Sequence, residues 1–131
     1  MLDPLGPNGT LRYVPAVFDW RNDSEVKMPA LLAPADAILL FDGIFLLRPE
    51  LDGSWELTIW VDAAFDVTIA RAKSRARDDG TSIDGLRERY RCRYVPGQML
   101  YLHECRPRQR ADLVVDNTDL ANPRLLDQRT A

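Results

Sequence analysis

Fifteen of the seventeen basic residues of this chain are arginines. Eleven of the seventeen lie between residues 71 and 110, against five acids, so that segment carries +6 and the remainder −9. Arginine offers a planar fork of donors that matches phosphate and carboxylate oxygens. Three aspartates, Asp42, Asp62 and Asp116, each close an apolar run. A carboxylate at a strand end can order a divalent cation or its waters. Mobile arginines can supply positive charge where a transferring phosphoryl group develops negative charge. Phosphoryl transfer needs positioning and neutralisation more than covalent chemistry, so these residue types suit it. The plainer alternatives stand beside this reading. The basic segment can be a solvated helix surface laced with ion pairs. Asp42 before Gly43 can be a turn aspartate.

Other chemistries lack their residues. The single histidine, His103, has no partner cysteines, and Glu104 beside it does not make a metal site. A histidine-based nucleophile triad has no candidates either. Cys92 and Cys105 fall on different faces of one helix and read as free thiols. The longest apolar runs are far short of a membrane span. No basic start followed by an apolar stretch and a cleavage site is visible, which points to a cytoplasmic protein. At 131 residues the chain is long enough for one domain and short for two.

The elements that must position these residues follow from pattern. Residues 2–11 are rich in turn formers, and 12–20, "RYVPAVFDW", read as an extended aromatic piece interrupted by Pro15. The segment 35–45, "ADAILLFDGIF", reads as a buried strand. A second strand falls within 55–62, "WELTIWVD", and a third within 110–119, "RADLVVDNTD". Between them Phe65, Ile69 and Ala72 recur at helical spacing over 63–77. A loop spans 78–85, and a second helical stretch spans 86–105, interrupted at Pro96-Gly97. Leu86, Tyr90, Tyr94 and Tyr101 share roughly one face of it, as packing residues do. The tail after Asn122 is polar. Short apolar strands separated by helices predict an α/β layer fold with a parallel sheet. In such sheets ligands bind beyond the carboxyl ends of the strands, where Asp42, Asp62 and Asp116 would stand.

Taken together, "ILLFDGIFLLRPEL", "WELTIWVDAAFDVTIARA", "RERYRCRYVPGQMLY" and "ADLVVDNTD" resemble the uridine kinase-like P-loop kinases over roughly residues 12–119. The resemblance implies a partial domain over 1–131: a P-loop kinase-type parallel sheet with flanking helices, its central phosphate-loop strand absent. It implies ATP and Mg²⁺ as cofactors of the complete enzyme, and a nucleoside or similar hydroxyl compound as acceptor. Asp42 takes the place of the acid near metal and phosphates. Arg71, Arg75 and Arg77 fall in an arginine-rich, lid-like region over 71–93. Phe18, Asp19 and Trp20 match the segment that lines the nucleoside pocket. Asp23 stands close to the place of a family histidine, and Arg89 where members can carry a substrate-contacting glutamine.

The family's glycine-rich Gly-Lys-Ser/Thr loop is not in this sequence; neither Lys27 nor Lys73 follows a glycine. The resemblance therefore implies the C-terminal part of a kinase, inactive alone. Its strands would lack their central partner and would pair with each other, pair with another chain, or stay exposed. Self-association, or association with a missing N-terminal half, is the expectation. The alternative function is a non-catalytic anion- or nucleic-acid-binding module, or an inactive remnant. Against nucleic acid stands the overall charge of −3.

Overall fold

The runs "TIWVD" and "DLVVD" combine β-branched residues with flanking helical segments, and they form the parallel core of the molecule. The computed structural model describes residues 2–6, 8–78 and 82–128. Its elements are α1 (Leu2–Leu5), β1 (Arg12–Tyr13), β2 (Phe18–Asp19), β3 (Ser24–Glu25), β4 (Leu31–Leu32), a 3₁₀ turn (Pro49–Ser54), β5 (Ile59–Asp62), α2 (Phe65–Asp78), α3 (Ile83–Arg89), a π-helical turn (Tyr90–Tyr94), α4 (Val95–Cys105), α5 (Pro107–Arg110), β6 (Leu113–Asp116) and β7 (Arg124–Gln128). They fall into two units: Met1–Gly43 with Glu50–Glu56, and Ile44–Pro49 with Leu57–Ala131. The fold class is mixed α/β.

The first unit is built from two nested antiparallel pairs. β1 faces β4, with Arg12 opposite Leu32, and β2 faces β3, with Phe18 opposite Glu25. Asp19 shapes the inner turn: its carboxylate accepts the Arg21 N–H at 2.9 Å and the Asn22 amide at 2.7 Å. That local bonding is what aspartate contributes to turns; Asp23 follows at φ 49°, a left-handed conformation that aspartate tolerates. α1 is tied down by Leu11, whose N–H reaches the Pro4 carbonyl at 2.8 Å. A Cβ on Gly9 would collide with that same carbonyl, so the approach requires glycine. No described residue of this unit is fully buried. Two-residue strands without a core are marginal by themselves.

The expected buried strand over 35–45 is not formed. Ile38–Gly43 join no ladder among the described residues, and Ile38 and Leu40 are 87% and 90% exposed. An apolar run becomes a strand only when a neighbour takes its N–H and C=O groups. No described strand lies alongside this one.

The second unit holds the core. β5 and β6 run parallel in strict register, Ile59 opposite Leu113 through Asp62 opposite Asp116. Their N-terminal ends are clamped by Asp112, whose carboxylate accepts both the N–H (2.8 Å) and the hydroxyl (2.6 Å) of Thr58. The Thr58 hydroxyl in turn accepts the Asp112 N–H at 3.0 Å. β7 pairs antiparallel with β6 and carries an irregularity between Val114 and Val115. The sheet is therefore mixed, whereas the sequence predicts parallel strands and a polar tail.

α2 buries Ala72 and Ala76, one helical turn apart. The stretch 83–105 is nearly continuous helix, and the interruption predicted at Pro96 takes a definite form. Proline at 96 cannot donate to the carbonyl of residue 92. The turn before it widens, and Val95 N–H bonds five residues back to the Tyr90 carbonyl. Tyr90 and Tyr94 pack edge to face with centroids 5.2 Å apart. Tyr101 instead turns into the core with Leu47 and Ala111, against Trp60 and Cys105. No described helix is long and apolar enough to cross a membrane.

Candidate functional site

The carboxyl ends of β5 and β6 bring Asp62 and Asp116 opposite each other, as both strands end in an aspartate. Asp62 accepts the Trp60 indole N–H at 3.2 Å, and the Arg108 guanidinium lies 3.7 Å away. Asp116 accepts the Thr118 N–H at 2.9 Å and pairs with Arg124 at 2.8 Å. The Thr118 hydroxyl and N–H, then Arg124, hold the Asp116 carboxyl at about 2, below its ordinary 3.8. Asp119 is lowered too, by the Asn122 amide at 2.8 Å and the Ala121 N–H at 2.9 Å.

The loop after β6 and the start of β7 border an open surface depression of about 360 Å³ lined by Asp116, Thr118, Asp119, Asn122 and Arg124. It offers carboxylate acceptors beside amide and guanidinium donors. Of these residues the sequence reading placed only Asp116 at a functional position. "DNTD" carries a turn signal that could have marked Thr118 and Asp119. Arg124 carries none, because only the return of β7 brings it to Asp116.

Arg71 projects from α2 onto this loop. Its guanidinium donates to the carbonyls of Asn117 and Thr118 at 2.7 and 2.8 Å. Arg75 lies one turn further along α2, is exposed, and has no hydrogen-bond or ion-pair partner among the described residues. The side chain of Arg77 lies outside the described residues. Arg89 donates to the Gly85 carbonyl at 3.3 Å. In the other unit Asp42 is exposed in the unpaired segment. Phe18 and Trp20 are exposed at the β2 hairpin, with the Arg21 guanidinium 5.5 Å from the Trp20 ring centroid. Asp19 is engaged in the turn bonds already given. The candidates thus divide: Phe18, Asp19, Trp20 and Asp42 belong to the first unit, Arg71, Arg75 and Arg89 to the second.

Among the described residues no group of three or more His, Cys, Asp or Glu side chains could hold a metal ion. Asp42 is a single exposed carboxylate, and one such ligand does not retain Mg²⁺. Mg²⁺ is usually held by one or two carboxylates together with substrate phosphates, so Asp42 alone would need a bound phosphate to retain it. Cys92 and Cys105 are free thiols. The Cys92 thiol lies 2.9 Å from a Glu88 oxygen, and that hydrogen bond raises its pKa, which disfavours the reactive thiolate.

The Asp116 network makes a sharp titration prediction. A carboxyl with a depressed folded value stabilises the fold fully above the unfolded value. That contribution is lost as pH falls through the folded one. By carboxyl-resolved NMR, Asp116 is expected to titrate near 2 rather than 3.8. Thr118→Val should raise that midpoint most and Arg124→Ala less. A wild-type midpoint at the ordinary value would refute the network. No family model, curated protein or solved structure matches the chain.

Proposed function

We propose that this chain is the C-terminal part of a uridine kinase-like phosphotransferase that moves the ATP γ-phosphoryl group to the hydroxyl of a nucleoside or similar small substrate. The observation that carries the reading is the parallel β5–β6 pair. Its terminal aspartates stand opposite each other, and the helix after β5 carries Arg71 and Arg75. Parallel sheets of this kind place ligands beyond the carboxyl ends of their strands. Arg71 braces the loop at that end, and Arg75 is exposed on the same helix, with no ion-pair or hydrogen-bond partner among the described residues. The aromatic hairpin bearing Phe18 and Trp20 would offer flat apolar surface to a base.

The nucleic-acid alternative is weakened by internal neutralisation. Arg91 pairs with Glu88 at 2.7 Å, Arg87 with Asp84 at 3.8 Å, and Arg124 with Asp116 at 2.8 Å. The test is ADP production from ATP with uridine or cytidine. The chain alone is expected to give none. A chain joined to an upstream half bearing Gly-x-x-x-x-Gly-Lys-Ser/Thr is expected to turn over. No turnover from that longer chain with any nucleoside, together with salt-dependent nucleic-acid binding by the chain alone, would replace this reading with the alternative.

A further inference from the structure

Two strand-like surfaces of this chain lack a ladder partner among the described residues. The first is the edge of β5. The sheet runs β5-β6-β7, so β5 has a neighbour on one side only among the described residues. Ile59 and Val61 are 51% and 56% exposed there and alternate with the half-buried Trp60 and Asp62. The second surface is Ile38–Gly43. Exposure along it alternates with period two: Ile38 87%, Leu39 37%, Leu40 90%, Phe41 43%. The less exposed face is held in part by Phe41 against Trp55, with centroids 5.8 Å apart. This is the side-chain pattern of a strand with no ladder.

We propose that Ile38–Gly43 of one copy adds as a strand to the β5 edge of a second copy. Parity supports the match. Ile38 and Leu40 share one face, Ile59 and Val61 share another, and a register that pairs these alternate positions sets all four as cross-strand neighbours in either strand direction. Pairing gives partners to strand backbone groups that join no ladder on that side among the described residues. Charge selects the same chain as partner. The unit holding the guest segment has three basic and nine acidic residues, a net −6. The unit holding the β5 edge has fourteen basic and eleven acidic residues, a net +3. Opposite fields of this kind steer association and weaken with salt. The contact is heterologous, because the two patches differ.

Light scattering on the intact chain across a dilution series tests this. The wild type is expected to show a mass at least twice 14.9 kDa that falls on dilution or with added salt. Leu40→Lys and Val61→Lys are each expected to stay at 14.9 kDa, since lysine blunts a strand edge. Both positions are exposed, so circular dichroism should be unchanged; Ile38→Lys and Ile59→Lys replace either variant that misfolds. Mixing the two variants should restore a dimer, because one keeps its β5 edge and the other its guest segment. A wild-type monomer throughout overturns the proposal. So does continued association of Val61→Lys, which would mean that the apolar segments meet each other. So does the absence of a dimer on mixing.

Discussion

Tyr101→Ala should lower stability by about 3–5 kcal/mol, the range for removing a large buried aromatic. That loss is comparable with much of the roughly 5–15 kcal/mol that holds a typical domain. The reason is how little else is buried. Among the described residues the buried apolar side chains are Leu47, Ala72, Ala76, Tyr101, Pro107, Ala111 and Val114, and Tyr101 is the one aromatic among them. Its ring meets Phe45 edge to face at 5.3 Å and covers Leu47 and Ala111. Its hydroxyl oxygen accepts the buried Leu47 N–H at 3.0 Å. Tyr101→Phe keeps the ring and strands that N–H, at a cost of about 1–3 kcal/mol. Thermal and urea melts should therefore rank wild type above Tyr101→Phe above Tyr101→Ala. Burial also raises the phenol above its ordinary 10. The neutral form is the one the fold favours, so the stabilisation is complete below 10 and is lost as pH climbs through the raised value. Tyr101→Phe should remove that alkaline loss. A Tyr101→Ala variant within about 0.5 kcal/mol of wild type would place the core elsewhere.

What could be read from the sequence was local in origin. The helical spacing of Phe65, Ile69 and Ala72 marks α2, which runs Phe65–Asp78 against the expected 63–77. Proline at 96 announces a break that backbone chemistry alone demands. The apolar runs ending in Asp62 and Asp116 mark β5 and β6, and their parallel pairing agrees with the helices between them. Ile38–Phe41 is just as apolar as those strands, yet it joins no ladder among the described residues. Its fate depends on whether another strand lies alongside, and no residue in the run encodes that. β7 is the converse: "RLLDQ" is too polar to announce a strand, and it forms because β6 offers a free edge. The site divides the same way. The aspartates at strand ends are legible, because strand ends are. The hold of Arg71 on two carbonyls 46 and 47 residues away is not, because backbone acceptors carry no sequence signature.

The proposed phosphotransferase makes Arg75 its most informative residue. Arg71 cannot serve that purpose. Removing it would release the Asn117 and Thr118 carbonyls, so lost turnover would be mixed with a loosened loop. Arg75 has no such partner among the described residues and is exposed on α2, so Arg75→Ala should leave stability within about 0.5 kcal/mol of wild type. In the chain joined to its phosphate loop, the same change should lower kcat about 10²–10³-fold, the usual loss when one donor to developing charge is removed. KM for the nucleoside should hardly move, because the guanidinium would engage the phosphoryl group in flight and not the acceptor. Arg75→Lys should recover part of the rate, since it restores charge without the planar fork. Asp42→Asn, which keeps shape and removes charge in an exposed segment, should also depress turnover without unfolding the first unit. Wild-type rates in both Arg75→Ala and Asp42→Asn would sink the assignment of these residues. A fall in KM-dependent binding alone for Arg75→Ala would move that arginine from the transferring phosphoryl to the substrate.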